Sequence, residues 1–177
     1  MIQAKLQALF ELNQINYYIG EFDPAYTSQH RAQSAHVSGY ELAKAVIVNL
    51  DEQLAMVVVP APYKLDLQQL APELGADRVL LACEDEFMPY FSQCEFGAVP
   101  PIGSIFHLPV FMAVSFEVQP WIYFNAGNHQ EMIKMKTADF MALVSPTMIE
   151  QGYYLAGDQN GKWRQQLTFH RVSRILH

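Results

Sequence analysis

The most distinct hydrophobic pattern in the chain lies in the first half. Residues 43–50 and 53–59 are two near-continuous runs of apolar and β-branched residues, separated by the polar pair Asp51 and Glu52. This pattern predicts a β-hairpin, and the continuous apolarity indicates strands that are buried on both faces. Lys44 interrupts the first run. A lysine at this place either lies at the solvent end of the strand or occupies a pocket in which its ammonium group has a partner.

Shorter patterns on both sides of the hairpin predict the other elements. Apolar residues at helical spacing indicate an amphipathic helix over residues 2 to about 14. Asp66 and Gly75 are residue types that begin and end helices, so a helix is expected between them. The other predicted elements are a strand at 17–22, a helix ending near 35, a strand at 78–82, a short acidic helix at 84–91, strands at 109–114 and 121–124, a half-exposed strand at 131–136 and a helix at 138–144. Strands and helices do not alternate regularly, so the order predicts a single α+β domain with a mixed, mostly antiparallel β-sheet flanked by helices.

Composition narrows the class of protein. The chain has 177 residues, of which 51% are apolar and 16% charged, as in a single globular domain. Cys83 and Cys94 have neither CxxC spacing nor enough partners for a disulfide framework, which indicates two ordinary thiols in a reducing compartment. The N-terminus lacks a basic segment followed by an apolar run, and no apolar stretch approaches the length of a membrane span. We therefore expect a cytoplasmic protein without a membrane partner.

The charge of the chain is negative and unevenly distributed. The formal net charge is −7, which argues against a protein whose main task is to grip a nucleic acid backbone, and we expect no DNA partner. Residues 152–177 nevertheless carry four basic side chains against one acidic, whereas residues 1–151 carry seven against seventeen. A polyanion would therefore favour the C-terminal segment, which otherwise is an ordinary surface element.

A loop with unusual backbone constraints spans residues 96–103, Phe-Gly-Ala-Val-Pro-Pro-Ile-Gly. Two glycines free the backbone, while the proline pair fixes φ near about −65° and removes two N–H donors. The donors that remain before the prolines belong to Gly97, Ala98 and Val99. The segment is either a plain turn between two elements or a shaped loop whose amides face a ligand oxygen.

Motifs of the common enzyme classes are absent from the sequence. It contains no P-loop, no dinucleotide-binding glycine pattern, no HExxH and no GxSxG. The six histidines are scattered, and no Cys or His cluster has the spacing of a metal site. We therefore expect neither a metal nor a cofactor.

Four segments in a fixed order carry a resemblance to a known family. They are Pro-Ala-Tyr-Thr at 24–27, Leu-Ala-Lys-Ala-Val at 42–46, Gly-x-x-Pro-Pro at 97–101 and Asn-Ala-Gly-Asn-His at 125–129. The ordered set resembles the YbaK family of aminoacyl-tRNA deacylases, free-standing relatives of the editing domain inserted in bacterial prolyl-tRNA synthetases. The match extends from about residue 22 to 144. It implies one YbaK-like domain over residues 1–177, with 145–177 as a C-terminal extension outside the match.

The resemblance implies an activity in translation fidelity. Members hydrolyse the ester that joins a wrong amino acid to tRNA, which here implies a small amino acid, on tRNA-Pro. In this family a ribose hydroxyl of the tRNA activates the attacking water, so neither a protein nucleophile nor a metal or cofactor is needed. The implied partners are the 3′ end of the aminoacyl-tRNA and an aminoacyl-tRNA synthetase.

The resemblance also implies roles for individual residues. Lys44 matches the lysine that holds the terminal adenosine and its phosphate, and Gly97 with its neighbouring amides matches the loop that cradles the aminoacyl carbonyl and the water. Lys44 and Gly97 are therefore the implied catalytic residues. The implied substrate-binding residues are Tyr26, Thr27, Ala98, Val99, Pro100, Pro101, Asn125, Gly127, Asn128 and His129.

Two departures from the family pattern leave alternatives open. Phe22 stands where many members have a histidine, and Glu131 is the nearest acid where some members have an aspartate. A first alternative is a non-catalytic YbaK-fold module that binds a nucleotide, an aminoacyl group or a protein partner; Phe22 and the low positive charge favour it. A second is an enzyme in which Lys44 forms a Schiff base with a small carbonyl compound. The lysine and both glycine loops favour the deacylase.

Overall fold

The computed structural model describes residues 2–21 and 37–156. The strands are β1 Tyr17–Glu21, β2 Ala43–Leu50, β3 Gln53–Pro60, β4 Tyr63–Leu65, β5 Val79–Leu81, β6 Val110–Ala113, β7 Trp121–Asn125, β8 Glu131–Lys136, β9 Thr147–Ile149 and β10 Tyr153–Leu155. The α-helices are α1 Ile2–Leu12, α2 Leu67–Glu73, α3 Glu84–Phe87 and α4 Thr137–Val144, with 3-10 helices at Met88–Phe91, Gly103–Phe106 and Val114–Phe116. No helix within these described ranges is both long and apolar enough to cross a membrane.

The strands form three sheets. The largest has the order β5-β2-β3-β6-β9, in which β3–β6 and β6–β9 are parallel pairs and the others antiparallel. A three-stranded antiparallel sheet has the order β1-β8-β7, and β4 pairs with β10. A parallel bridge between Leu42 and Tyr123 joins the first two sheets. The predicted α+β fold with a mixed, mostly antiparallel sheet is confirmed.

The predicted hairpin is the centre of the largest sheet. β2 and β3 pair in register from Ala43 opposite Pro60 to Leu50 opposite Gln53, and the turn residues Asp51 and Glu52 both have positive φ, as a two-residue hairpin loop requires. β3 is buried from Ala55 onwards, but β2 is only half-buried over much of its length. Burial on both faces therefore holds for β3 and not for β2.

The N-terminal helix covers one face of the three-stranded sheet. Ile2, Leu6 and Phe10 of α1 are buried, because residues spaced by three and four share one helical face. The Phe10 ring lies 4.8 Å from the ring of Tyr17 in β1. This contact fixes α1 against the sheet that carries β7 and β8.

Two predicted elements differ from the pattern that indicated them. Residues 84–91 form the short helix α3 followed by a separate 3-10 helix, where Pro89 has no N–H for a continuous α-helical ladder. β8 was expected to be half-exposed, but four consecutive residues, 132–135, are buried. β8 lies between β1 and β7, so side chains of both neighbouring strands flank those of β8.

The chain beyond the last α-helix takes part in the sheets. β9 pairs with β6, and β10 pairs with β4. Residues 147–155, the beginning of the region expected as an extension, are therefore built into the domain. The predicted helix ending near residue 35 and the basic residues from 157 onwards lie outside the described residues.

The close packing around Gly103, at the end of the glycine-proline loop, can be tested by substitution. A Cβ atom at this position would overlap the Leu108 carbonyl oxygen and the Val110 side chain. We expect Gly103→Ala to lower the free energy of unfolding by about 1–3 kcal/mol in chemical denaturation, as other overpacking substitutions do. Ser104→Ala, an exposed change in the same 3-10 helix, is the control. Equal denaturation midpoints for the two variants would refute the steric argument.

Candidate functional site

The loop that follows Phe96 has one exposed and one buried part. Gly97 has a positive φ of 75° and is exposed, whereas Ala98, Pro100 and Pro101 are buried. The Ala98 N–H donates to the Glu95 carbonyl at 3.0 Å. The two prolines and Ala98 thus form the base of the loop, and Gly97 lies at its surface.

The second predicted loop, residues 125–129, closes through Asn128. The Asn128 side-chain oxygen accepts from the backbone N–H groups of Gln130 and Glu131, each at 2.8 Å. Its amide donates to the Glu131 carboxylate at 2.7 Å. Gly127 has a φ of 95°, and a Cβ there would overlap Ile2 of α1. Asn128, expected to bind substrate, therefore holds the turn in shape.

Hydrogen bonds join the two loops into one unit. The Glu95 N–H donates to the Gly127 carbonyl at 2.8 Å, and the Gly127 N–H donates to the Ala98 carbonyl at 3.1 Å. The backbone N–H of His129 donates to the Glu95 carboxylate at 2.8 Å. His129 Nε2 lies 2.7 Å from the Phe96 carbonyl, and because a carbonyl only accepts, this ring nitrogen carries the proton.

Of the three backbone donors that the sequence indicated in the glycine-proline loop, two are unused. Within the described residues, the N–H groups of Gly97 and Val99 have no hydrogen-bond partner. The Ala98 N–H, the third donor indicated by the sequence, is consumed by Glu95. Gly97 and Val99 therefore remain the donors with which this loop can meet a ligand oxygen.

Lys44 is half-buried in β2 and directed at carbonyl oxygens. Its Nζ donates to the carbonyl of Ala61 at 3.3 Å and to that of Tyr63, and it forms no ion pair with any described residue. Burial, assisted by the charge of Lys64, lowers the pKa of Lys44. Since an ammonium group has three N–H donors, one has no partner among the described residues and is available to an anion. The sequence allowed two positions for Lys44, the end of a strand or a pocket with a partner for its ammonium group. In the structure Lys44 lies near the start of β2 and its ammonium group has partners.

The topology brings Lys44 and the second loop to the same side of the molecule. Leu42 forms a parallel bridge with Tyr123, and the Tyr123 N–H donates to the Glu41 carbonyl at 2.9 Å. Lys44 lies two residues beyond Leu42, and Asn125 lies two residues beyond Tyr123. Two residues of strand span about 7 Å, and both segments run in the same direction. Lys44 and Asn125 therefore both lie beyond the bridge, towards the joined loops.

Two residues of the expected site are outside this description. Tyr26 and Thr27, implied as a further wall of the site, do not lie within the described residues, and neither does Phe22. Their placement stays a prediction.

A buried cation that the sequence did not indicate lies in the neighbouring sheet. Lys134 of β8 is 7% exposed, and its Nζ lies 4.3 Å from the ring centre of Trp121, 5.4 Å from that of Tyr123 and 5.7 Å from that of Tyr18. Burial raises the pKa of Glu41, and a hydrogen bond from Ser38 and the charge of Lys134 oppose that shift. The alternation of charged and apolar residues in β8 had indicated that Lys134 faces solvent. The rings that surround it come from other strands, so the pattern within β8 could not show them.

Comparison with known proteins places the chain in a family. Residues 23–143 match the family model of the aminoacyl-tRNA editing domain. The chain belongs to this family. The matched range contains Lys44 and both joined loops, so every described residue of the expected site lies inside it.

A curated relative of this editing domain comes from Escherichia coli. The chain is 31% identical over 114 residues to the multifunctional Ser/Thr-tRNA deacylase ProXp-y of strains K12 and O157:H7. The alignment covers 60% of this chain and 66% of the relative, so the chain spans just under two thirds of that protein. The deacylase class expected from the sequence agrees with the name of this relative.

Solved structures share the fold at low sequence identity. The crystal structure of a candidate trans-editing enzyme for prolyl-tRNA synthetase has a TM-score of 0.72 and 16% identity, and the match covers 85% of this chain and 96% of that one. A hypothetical protein gives a TM-score of 0.74 at 16% identity, with 85% and 99% covered. The family and fold predicted from the sequence are confirmed, while the roles of individual residues remain predictions.

The bridge between the editing-domain loops can be tested at His129. His129→Ala removes the bond to the Phe96 carbonyl but keeps the backbone N–H that binds Glu95. We expect the free energy of unfolding to fall by about 0.5–1.5 kcal/mol and the Ala98 and Gly127 amides to exchange faster with deuterium. Gln130→Ala, an exposed neighbour, is the control. Unchanged exchange at Ala98 and Gly127 would show that the histidine ring does not hold the loops together.

Proposed function

We propose that this chain is a trans-editing hydrolase that cleaves the ester of mischarged aminoacyl-tRNA. The observation that carries the proposal is a braced loop in which the Gly97 and Val99 N–H groups have no partner among the described residues, at the end of the strands where Lys44 lies. The family match and the deacylase relative support it. We place this activity in the cytoplasm, with a synthetase as a further partner.

In the proposed reaction the protein orients and stabilises, and the substrate supplies the base. A water oxygen attacks the aminoacyl carbonyl carbon while a ribose hydroxyl of the tRNA accepts the water proton. The carbonyl oxygen gains negative charge, which the Gly97 and Val99 N–H groups stabilise. The ester C–O bond then breaks, and the departing ribose oxygen takes the proton that the neighbouring ribose hydroxyl passes on when it accepts the water proton. One such donor contributes about 10²- to 10³-fold to the rate in other enzymes.

Lys44 acts on a different part of the substrate. Its remaining N–H is suited to a phosphate or hydroxyl oxygen of the terminal nucleotide, and the two carbonyl contacts fix the direction of the ammonium group. A fixed charge positions the ester against the loop donors and lowers the barrier through orientation. Asn125 and the backbone of residues 126–129 are the second part of the proposed site.

The proposed substrates are small amino acids attached to the wrong tRNA. The relative is named as a Ser/Thr-tRNA deacylase, so seryl and threonyl esters come first, with alanyl and cysteinyl esters on tRNA-Pro as the expectation from the family resemblance. A synthetase pocket separates amino acids that differ by one methylene by only about 10- to 200-fold. A second site that hydrolyses the small errors removes what the synthetase accepts.

The decisive experiment measures amino acid release from a panel of charged tRNAs. Seryl-, threonyl-, alanyl- and cysteinyl-tRNA are compared with correctly charged controls, using the wild type and Lys44→Ala. We expect kcat/KM for a mischarged species to fall by about 10- to 100-fold in the variant, since a charge-assisted hydrogen bond is worth about 1.5–3 kcal/mol. Lys64→Ala, which changes an exposed lysine on β4, should retain activity.

Two results would contradict the deacylase proposal. Binding of charged tRNA by the folded wild type without release of any amino acid would favour the binding module. Equal activity of wild type and Lys44→Ala, with matching circular dichroism and melting temperature, would remove Lys44 from the mechanism.

Lys44 also predicts a pH dependence. Its pKa is lowered from the ordinary lysine value of 10.5, so the charged form is lost at lower pH than for an exposed lysine. Below that pKa the ammonium group is present and activity is full; as the pH rises through it, the enzymatic rate falls, after subtraction of spontaneous ester hydrolysis. Lys44→Arg keeps the charge and should move this decline to higher pH. The same decline in Lys44→Arg would assign it to another group.

A further inference from the structure

The aromatic ring of Phe96, in the first of the two joined loops, is exposed to solvent. The residue is 58% exposed, and its ring contacts no other ring among the described residues. The neighbouring residue is Gly97, which carries one of the two unused N–H donors. A large apolar ring therefore stands beside the proposed oxyanion donor.

The backbone beneath this ring is fixed. The Phe96 carbonyl accepts from His129 Nε2 at 2.7 Å, and Glu95 on its other side is bound by both its N–H and its carboxylate to the second loop. The exposed ring therefore projects from a braced segment. Isolated exposed apolar side chains are common on protein surfaces, but this one lies on a segment that hydrogen bonds tie to the second loop.

We infer that Phe96 stacks on a base at the 3′ end of the aminoacyl-tRNA. The inference rests on the proposed function and names a further positioning residue for it. Phe96 and Gly97 are adjacent residues with Cα atoms about 3.8 Å apart, so a substrate whose carbonyl is held by the Gly97 N–H has its terminal nucleotide close to Phe96. Aromatic stacking positions bases in proteins that bind single-stranded nucleic acids.

Charge favours a base over a phosphate as the group that meets Phe96. The adjacent side chain is the Glu95 carboxylate, which would repel a phosphate. The chain as a whole has a net charge of −7, so it lacks the excess of basic side chains from which most nucleic-acid-binding proteins gain affinity. Stacking supplies affinity without positive charge. In this arrangement Phe96 contacts the base of the terminal nucleotide, and Lys44 contacts one of its phosphate or hydroxyl oxygens.

The test combines binding and turnover. Uncharged tRNA with 2-aminopurine in place of the terminal adenine is titrated with wild type, Phe96→Leu and Phe96→Trp, and fluorescence quenching reports stacking. We expect quenching with wild type and Phe96→Trp and its loss with Phe96→Leu, which keeps an apolar side chain but no ring. With mischarged tRNA, Phe96→Leu should raise KM about 5- to 100-fold and change kcat little. Tyr90→Leu, an exposed aromatic outside both loops, is the control.

The outcomes separate this inference from the proposed function. Turnover by wild type, with equal quenching and KM in Phe96→Leu, would overturn the stacking inference and leave the deacylase intact. No turnover of any charged tRNA would overturn the deacylase, and the quenching experiment would still decide whether Phe96 contacts the base. Loss of binding to a synthetase in Phe96→Leu, with unchanged quenching, would assign the ring to a protein interface and refute stacking.

Discussion

The hydrogen bonds between the loop around Gly97 and the loop at 125–129 are the constraint on which the candidate site depends. Each loop contains a residue with positive φ, and bonds within each loop fix its own turn but not its position relative to the other loop. The bonds from His129 to Glu95 and to Phe96 span 34 and 33 residues of sequence. They fix the Gly97 backbone before any ligand arrives, so orientation of its N–H group does not have to be gained during the reaction.

The sequence predicts individual helices and strands better than it predicts which distant segments come into contact in the fold. The hairpin of β2 and β3 and the cap of α2 at Asp66 follow from patterns within a few residues, and the structure has them at those places. The pairing of Glu95 with His129 depends on where two distant loops lie in the fold, and no local spacing encodes it. The family resemblance grouped these loops, but it gave no sign that Asn128 holds the turn or that the Ala98 N–H is consumed.

The half-buried Lys44 and the buried Lys134 also show that local sequence does not determine the surroundings of a side chain. Each interrupts an apolar strand, and each has a sequence pattern that allows a solvent-exposed position. Lys44 lies against carbonyl oxygens at a strand end and keeps a donor for an anion, whereas Lys134 is enclosed by aromatic rings from β1 and β7. Strand order decides between these environments. Because β8 lies between β1 and β7, rings from both neighbouring strands lie against its lysine.

An acidic chain that acts on tRNA needs affinity that does not come from a general positive field. Contacts to phosphates hold correctly and wrongly charged tRNA alike and contribute binding that is uniform between ground and transition states. An editing enzyme gains from the opposite arrangement, with weak attraction to the backbone of the nucleic acid and strong, oriented contacts at the ester. Neutral backbone donors at Gly97 and Val99 and one directed ammonium group at Lys44 fit that requirement, and an uncharged ring at Phe96 adds affinity without positive charge. On this view the net charge of −7 is compatible with the proposed reaction and limits how long the protein retains a correctly charged tRNA.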